Sequence, residues 1–366
     1  MQVFWAAMAS VCLWLLAIGS SQAADLEQLL KDGRVPGLAF AVIRDGRIVE
    51  TGALGVRDAS TGLPVDGDTI FEAASLSKPV FTYAVLQLVE AGLLSLDTPL
   101  SRDVPGYVTD DPRAASITVR NVLSQSSGLP NWRSNTEPLK TYFPPGERFS
   151  YSGEGFVWLQ RVVEKITGQS LDKVMTRLVF DPLEMRRSSY LWRPDFETDY
   201  ASPHDAHAVP GDKQRPAKAK SASTLHTTAA DYARFLQAVL SGARLNPETA
   251  KQWLEPQIRL RQRCVQCLAA DKPDQDQHIA WGLGWGLEPD AGSFFHWGDN
   301  DRFKAFVTGS VTDHSAVVVF TNGFNGMAIM PDVVQQLMPG DHPAFRWLDY
   351  AQNTGGGAWP DWLRIR

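Results

Sequence analysis

The chain has 366 residues, of which 44% are hydrophobic and 21% charged, and its net charge is −6 at neutral pH. This composition is typical of a soluble globular protein and excludes an intrinsically disordered chain. The acidic balance argues against a nucleic-acid partner, because such proteins normally present a basic face. The one local basic cluster, residues 211–220, lies in a Pro- and Ala-rich stretch and is predicted to be a solvated loop.

The N-terminal segment has the pattern of a secretory signal peptide. An uncharged, mostly apolar run of 15 residues, Phe4 to Ile18, is followed by the small residues Ser21 and Ala23. We therefore expect residues 1–23 to be removed after export to the periplasm or the medium. The run is shorter than the roughly 18 residues of a membrane span, so no stable membrane insertion is expected after cleavage. Because the segment lacks Lys and Arg, an uncleaved membrane anchor is the alternative.

Residues 24–350 are predicted to form one domain, followed by a Gly-rich tail over residues 351–366. Two short strands flank Asp45 and Gly46, a dipeptide typical of a two-residue hairpin turn. Strands with β-branched and aromatic alternation return only after residue 293. This order predicts an α+β fold, with an antiparallel β-sheet flanked by helices and a mostly helical insertion.

Four helices are predicted from periodicity and from their terminating residues. Glycines end three of them, and Pro79 is tolerated in the first turn of the first helix because its missing N–H has no partner there. The predicted helices cover residues 75–90, 153–168, 228–242 and 327–338.

The first helix carries a serine–x–x–lysine spacing in Ser75 and Lys78. Residues at positions i and i+3 share one helix face, and the positive end of the helix dipole favours a developing anion beside Ser75. A lysine with its usual pKa near 10.4 is not a base at neutral pH, so Lys78 has to be desolvated. A chain of this length contains about one such spacing by chance, so further motifs are needed.

Two later stretches supply complementary groups. Tyr151 is predicted on a loop immediately before a helix, where its phenol could relay a proton. His296 and Gly298 are predicted on a strand that could line the opposite wall of a cleft and lend a backbone N–H to an oxyanion.

With these three motifs in order, the chain resembles the serine β-lactamase-like hydrolases, which include class C β-lactamases, penicillin-recognising peptidases, D-aminopeptidases and related carboxylesterases. The family's motifs are serine–x–x–lysine, tyrosine–x–asparagine and lysine- or histidine–x–glycine. They are matched here by residues 75–78, 151–153 and 296–298. The connecting phrases "LSQSSGLP", "FPPGERFSYS", "FDPLEM" and "WGLGW" are also similar, and the resemblance covers about residues 30–350.

The resemblance implies a reaction through an acyl-serine intermediate without a cofactor or metal. Ser75 would be the nucleophile, and Lys78 and Tyr151 would share the acid–base work. His296 would contact the substrate or the tyrosine. The backbone N–H groups of Ser75 and Asp299 would form the oxyanion hole, with Gly298 on the same strand. The position of Trp297 inside the third motif would put it near the cleft.

Two departures from the pattern bear on the substrate. Gly153 stands where the family usually has asparagine, whose amide would contact an acylamino group of the substrate. The loss of about 1 kcal/mol per hydrogen bond weakens amide recognition more than ester recognition. His296 replaces lysine and is mostly neutral near pH 7, so it is a poor partner for a carboxylate. A small-molecule ester is therefore favoured. The alternatives are a D-aminopeptidase or DD-peptidase-like enzyme, a β-lactamase, and a non-catalytic binding domain of the same fold.

The remaining cysteines and histidines give weaker signals. Cys264 and Cys267 form a lone CxxC, which lacks the second pair that zinc needs and is interpreted as a loop pair open to oxidation in an exported protein. His204 and His207 have a spacing compatible with a metal, but prolines on both sides predict a loop. A metal-dependent hydrolase that uses this pair is kept as a further alternative.

Overall fold

A computed structural model of the protein describes residues 22–269 and 275–350. The predicted signal peptide and the predicted tail lie almost wholly outside these residues, so both stay predictions, as does the domain division they define. The strands are β1 Gly37–Arg44, β2 Arg47–Asp58, β3 Leu63–Pro64, β4 Phe71–Ala74, β5 Leu225–Thr227, β6 Ile258–Arg259, β7 Ala280–Trp281, β8 Gly286–Glu288, β9 Ser293–Asp299, β10 Lys304–Ser310 and β11 Ser315–Thr321.

Nine strands form one antiparallel sheet in the order β3-β2-β1-β11-β10-β9-β8-β7-β6, and β4 pairs separately with β5. The central pairing joins the two ends of the domain, since Ala41 of β1 lies opposite Val318 of β11. The hairpin predicted at Asp45 and Gly46 is confirmed, because Arg44 pairs with Arg47. The α+β architecture is therefore as the element order predicts.

Side chains alternate across the sheet and feed two separate apolar cores. In β1, Leu38, Phe40 and Val42 enter one core, whereas the alternate residues Ala39, Ala41 and Ile43 enter the other. Because both faces of the central strands are buried, helices have to cover the sheet on both sides.

The helices divide between these two faces. They are α1 over residues 22–33, α2 Ser77–Glu90, α3 Val119–Leu123, α4 Gly153–Thr167, α5 Leu171–Met175, α6 Ala229–Ser241, α7 Pro247–Trp253, α8 Gly326–Leu337 and α9 Pro343–Trp347. Apolar residues of α1, α8 and α9 belong to one core, and those of α2, α4 and α6 to the other. Most of the helical insertion lies between β4 and β5. Within the described ranges, none of the helices has the length and apolarity needed to cross a membrane.

The predicted helix ends are confirmed at three glycines. Gly92, Gly168 and Gly242 have φ of 69°, 64° and 62°, the left-handed conformation in which glycine ends a helix without strain. Two short elements of the C-terminal half, β6 and β7, and the helix α9 carry too few residues for a periodic pattern and were not predicted.

One predicted boundary is wrong in a way that matters for the site. The helix expected to begin at Ser75 begins at Ser77, so Ser75 lies in the turn between β4 and α2. The preceding residue, Ala74, has φ of 49°, which bends the chain before a helix can start. The turn is closed by Leu76 N–H, which donates to the Ala73 carbonyl, and by Lys78 N–H, which donates to the Ser75 carbonyl.

Candidate active site

Ser75 is positioned by a strained turn at the positive end of a long helix. The left-handed conformation of Ala74 costs an L-residue about 1–2 kcal/mol, and such strain is typical of functional sites. The 14 residues of α2 begin two positions later, so their aligned peptide dipoles favour negative charge near the Ser75 hydroxyl. The turn thus holds a hydroxyl where an alkoxide would be stabilised.

Lys78 lies fully buried beside this hydroxyl. Its Nζ is 3.0 Å from Ser75 Oγ and donates to the Ala222 carbonyl at 2.8 Å. The rings of Tyr151 and Phe156 lie 4.7 Å and 5.7 Å from Nζ. No carboxylate pairs with Lys78 among the residues that the structure describes.

Burial of this kind disfavours the ammonium form. It holds the pKa of Lys78 well below its usual value of 10.5. An unprotonated amine has a lone pair that can accept the Ser75 proton across the 3.0 Å contact. The desolvation that the serine–x–x–lysine motif requires is therefore present, and the predicted i to i+3 contact is made although Ser75 precedes the helix.

Tyr151 is held from three directions by its backbone surroundings. The N–H groups of Ser150 and Ser152 donate to the carbonyl and side-chain oxygens of Gln125 at 2.8 Å and 2.7 Å. The N–H of Tyr151 itself donates to the Val265 carbonyl at 2.9 Å. The predicted position on a loop just before α4 is confirmed.

The Tyr151 hydroxyl faces the reaction centre. Burial raises the pKa of Tyr151 above its usual value, and the neighbouring Ser75 hydroxyl opposes that rise. The two hydroxyls are neighbours without forming a hydrogen bond of ordinary geometry, and contacts of this kind tighten when a substrate binds. A protonated phenol beside Ser75 is suited to donate a proton or to relay one.

His296 lies on β9 beside Tyr151 and is uncharged. Its Nδ1 is bonded to the Trp297 carbonyl at 2.8 Å, and its ring centroid lies 6.0 Å from that of Tyr151. Burial, and then the nearby Lys78, lower the pKa of His296 to about 3. Its Nε2 has no hydrogen-bond partner within the described chain. His296 therefore packs beside the tyrosine as a neutral, buried imidazole, and its contact with substrate stays a prediction.

The remainder of the third motif explains how β9 reaches Ser75. A Cβ on Gly298 would lie 2.5 Å from the Ala73 carbonyl, so only glycine lets β9 approach β4 at this point. Asp299, the next residue, accepts from Lys304 Nζ at 2.6 Å. The role of the Asp299 N–H in an oxyanion hole stays a prediction.

Trp297 is buried against the ring of Tyr151. Only 4% of the residue is exposed, and its ring packs 5.1 Å from that of Tyr151. Trp297 supports the back of Tyr151 within the core, because alternate residues of β9 point to opposite faces of the sheet. The structure thus gives it a packing contact, and the predicted contact with substrate stays a prediction.

Gly153, the departure in the second motif, begins α4 and lies beneath an indole. Its N–H donates to Asn131 Oδ1 at 2.9 Å. A Cβ on Gly153 would lie 2.7 Å from the ring of Trp132. The space that a side chain at this position would need is therefore filled by Trp132.

Several residues of the site were missed by sequence reasoning. Ala222 contributes only its carbonyl to Lys78, which no side-chain pattern can signal. Gln125 lies inside the phrase "LSQSSGLP" and Trp132 follows it by two residues, so that phrase could have drawn attention to both. Val265 reaches Tyr151 from 114 residues away, and only the fold brings them together.

Cys264, Cys267 and His204 have structural roles. Cys264 and Cys267 form a disulfide around Val265. His204 uses both ring nitrogens, since Nε2 accepts from the Ala59 N–H and Nδ1 bonds to the Asn322 carbonyl, each at 3.0 Å. His204 is therefore occupied, and the metal-dependent alternative loses the ligand on which it rested. In the described part of the chain, no three His, Cys, Asp or Glu residues are grouped to hold a metal.

Three comparisons relate this site to known proteins. Penicillin-binding protein 4 of Amycolatopsis lactamdurans is 28% identical over 338 residues, which cover 85% of this chain and 87% of that protein. Protein flp of Staphylococcus aureus strain NCTC 8325 is 23% identical over 321 residues, 81% of this chain. The match spans only 61% of the length of flp.

A solved structure shares the fold. The octameric penicillin-binding protein homologue from Pyrococcus abyssi superposes with a TM-score of 0.74 at 22% identity, over 88% of this chain and 78% of that one. The family model described as Beta-lactamase matches residues 23–335. Because the family model covers most of the chain, the protein belongs to the Beta-lactamase family.

Proposed function

We propose that the protein is an exported esterase that hydrolyses carboxylic esters through an acyl group on Ser75. The observation that carries the proposal is the 3.0 Å contact between Ser75 Oγ and the buried Nζ of Lys78. Lys78 is the base in this proposal, since burial lowers the pKa of its ammonium and raises that of the Tyr151 phenol. Burial therefore makes Lys78 a better proton acceptor and keeps the Tyr151 phenol protonated.

In the acylation step, Lys78 Nζ takes the Ser75 proton while Oγ attacks the carbonyl carbon of the ester. The negative charge moves to the carbonyl oxygen, where the N–H groups of Ser75 and Asp299 would stabilise it. When the carbonyl re-forms, the bond to the alcohol oxygen breaks. Tyr151 donates its proton to the departing alcohol and regains one from Lys78.

Deacylation repeats these transfers with water. Lys78, now neutral again, takes a proton from a water molecule whose oxygen attacks the acyl carbon. Collapse of the second tetrahedral intermediate breaks the bond to Ser75 Oγ, which recovers its proton. One ester and one water thus give one acid and one alcohol, and the enzyme is restored.

Two features support esters over amides and over carboxylate-bearing substrates. Gly153 has no side chain to accept or donate a hydrogen bond, and one such bond is worth about 1 kcal/mol. His296 has a pKa of about 3 and carries no charge at neutral pH. Lys304, the first residue of β10, lies opposite the end of β9 and is already paired with Asp299. Neither His296 nor Lys304 therefore offers an unpaired positive charge to a free carboxylate.

Export is supported by the N-terminal apolar segment and by the disulfide. Disulfides persist in oxidising compartments such as the periplasm and are rare in the cytosol. The Cys264–Cys267 bond fits that setting. The predicted cut after Ala23 is tested by sequencing the N-terminus of protein recovered from outside the cytoplasm.

Fluorophosphonate labelling of the mature protein, with the modified peptide identified by mass spectrometry, tests the nucleophile. We expect one adduct, on Ser75, that is lost in Ser75→Ala and kept in Ser95→Ala, which changes an exposed serine elsewhere. Short-chain esters should then be hydrolysed faster than D-aminoacyl amides and penicillins.

The other outcomes point to the other functions. Faster turnover of D-aminoacyl amides would replace the esterase by an aminopeptidase, and faster turnover of penicillins would replace it by a β-lactamase. A folded wild-type protein that takes no label and hydrolyses none of the three substrate classes would support a binding domain.

A further inference from the structure

Trp132 is an exposed aromatic side chain at the edge of the site. It is 46% exposed, although Tyr151 and Gly153, the neighbouring parts of the second motif, are buried. Exposed apolar residues are common on protein surfaces, so exposure alone says little. Two further observations, on its backbone and on Gly153, distinguish this indole.

The backbone around Trp132 is fixed on both sides. Before it, the Pro130 carbonyl accepts from Ser152 Oγ and the Asn131 carbonyl accepts from Glu154 N–H, each at 2.8 Å. After it, Arg133 donates from Nε to the buried carboxylate of Glu154 at 2.8 Å. An exposed ring on a segment held in this way loses little conformational freedom when a ligand covers it.

Gly153 is explained by the indole and by nothing in its own backbone. Its φ is not positive, so any residue could adopt its conformation. A Cβ there would lie 2.7 Å from the Trp132 ring. The glycine of the second motif therefore makes room for the indole of Trp132, a residue that stays 46% exposed.

We propose that Trp132 determines substrate specificity by stacking a flat apolar group, best an aromatic ring, of the ester. The proposal rests on the esterase function proposed above. The indole lies against Gly153, two positions after Tyr151, so in this proposal a ligand that is bonded to Ser75 and extends past Tyr151 contacts the exposed part of Trp132. A fixed aromatic surface rewards burial of an apolar ring and offers nothing to a polar acylamino group.

Three aliphatic or benzylic esters separate this role from general catalysis. Benzyl acetate and methyl phenylacetate are isomers that carry the ring on the alcohol side and on the acyl side, and ethyl acetate carries none. We expect Trp132→Ala to lower the ratio of kcat/KM for one of the aromatic esters to that for ethyl acetate by about tenfold. Trp132→Phe should keep most of the ratio.

Two more variants complete the test. Leu93→Ala removes an exposed apolar side chain beyond the far end of α2, about 20 Å along that helix, and should leave the ratio unchanged. Gly153→Ala keeps the tryptophan in the sequence but should also lower the ratio, because the added methyl group displaces the indole. Ratios within twofold of wild type for Trp132→Ala with both aromatic esters would overturn the proposal. An absence of Ser75 labelling in the wild type would instead overturn the esterase function itself.

Discussion

Two parts of the site differ in the sequence separation of the residues that form them. We call them the first wall, which contains Ser75 and Lys78, and the second wall, which contains Trp132 and Gly153. On one wall, Ser75 and Lys78 are three residues apart, and one turn and one helix start bring them into contact. On the other, Asn131 and Gly153 are 22 residues apart, and the contact between them depends on the packing of a loop against α4. The first wall matches its family motif, and the second departs from it.

Under the proposed function, the first wall carries out the proton transfer and the second wall recognises the substrate. The proton-transfer pair is set by local geometry and by burial, which any sequence that keeps the turn and the core will reproduce. The wall formed by Trp132 and Gly153 depends on a pair of residues that fit each other, so a change at one position requires a change at the other. Substrate preference can therefore vary while the nucleophile and its base stay constant.

The largest effect is expected from removing the base on the first wall. Lys78→Ala should lower kcat/KM for a simple ester by about 10²–10⁴-fold, because no other buried amine contacts Ser75 in the described structure. Fluorophosphonate labelling of Ser75 should slow in parallel. Retention of more than about a tenth of the wild-type rate would show that another group takes the Ser75 proton.

The fold should survive this change, since it removes a desolvated amine from an apolar environment. Lys165→Ala, which removes an exposed lysine from the last turn of α4, is the matched control and should keep full activity. Thermal unfolding followed by circular dichroism should give two-state transitions for both variants.

The pH dependence of kcat/KM tests whether Lys78 or His296 is the group whose protonation stops the reaction. Below the lowered pKa of Lys78 the amine is protonated, so kcat/KM should fall about tenfold per pH unit on the acidic side. The midpoint should lie well below 10.5, the usual value for a lysine. A midpoint near 3 would assign the titration to His296 and would contradict the role of Lys78 as the base.

The same shift has a consequence for stability. Between the lowered pKa of Lys78 and its unfolded value near 10.5, the unfolded chain binds more protons than the folded one. The free energy of unfolding therefore rises with pH across that window. Lys78→Ala should remove this rise, which urea unfolding at several pH values measures.

Sequence reasoning succeeded where a pattern is short-ranged and failed where contact is long-ranged. The β1–β2 hairpin and the helices that end at Gly168 and Gly242 follow from turn chemistry and periodicity, and the structure confirms them. The start of α2 was misplaced by two residues because nothing in the sequence signals a left-handed Ala74. The contact of Trp132 with Gly153 depends on tertiary packing, and no local pattern could have predicted it.

Tyr151 is adjacent to both walls, and the loop closed by the disulfide contacts its backbone. Val265 lies between Cys264 and Cys267, and its carbonyl accepts the Tyr151 N–H at 2.9 Å. Arg148 holds the same loop by donating to the Cys267 carbonyl at 3.1 Å. Opening the disulfide should loosen the acceptor of the Tyr151 N–H while leaving the two bonds to Gln125 in place.

The smallest effect is therefore expected for the double variant Cys264→Ser and Cys267→Ser. Its kcat should fall about two- to tenfold, since a loosened Tyr151 samples the productive geometry less often. The closed loop is only four residues long, so chain-entropy arguments give a loss of about 2 kcal/mol in the free energy of unfolding. Reduction of the wild type by a phosphine should reproduce both changes and should leave the double variant unaffected. An unchanged kcat in both samples would mean that the two bonds to Gln125 are enough to position Tyr151. The loop closed by the disulfide would then have no part in positioning it.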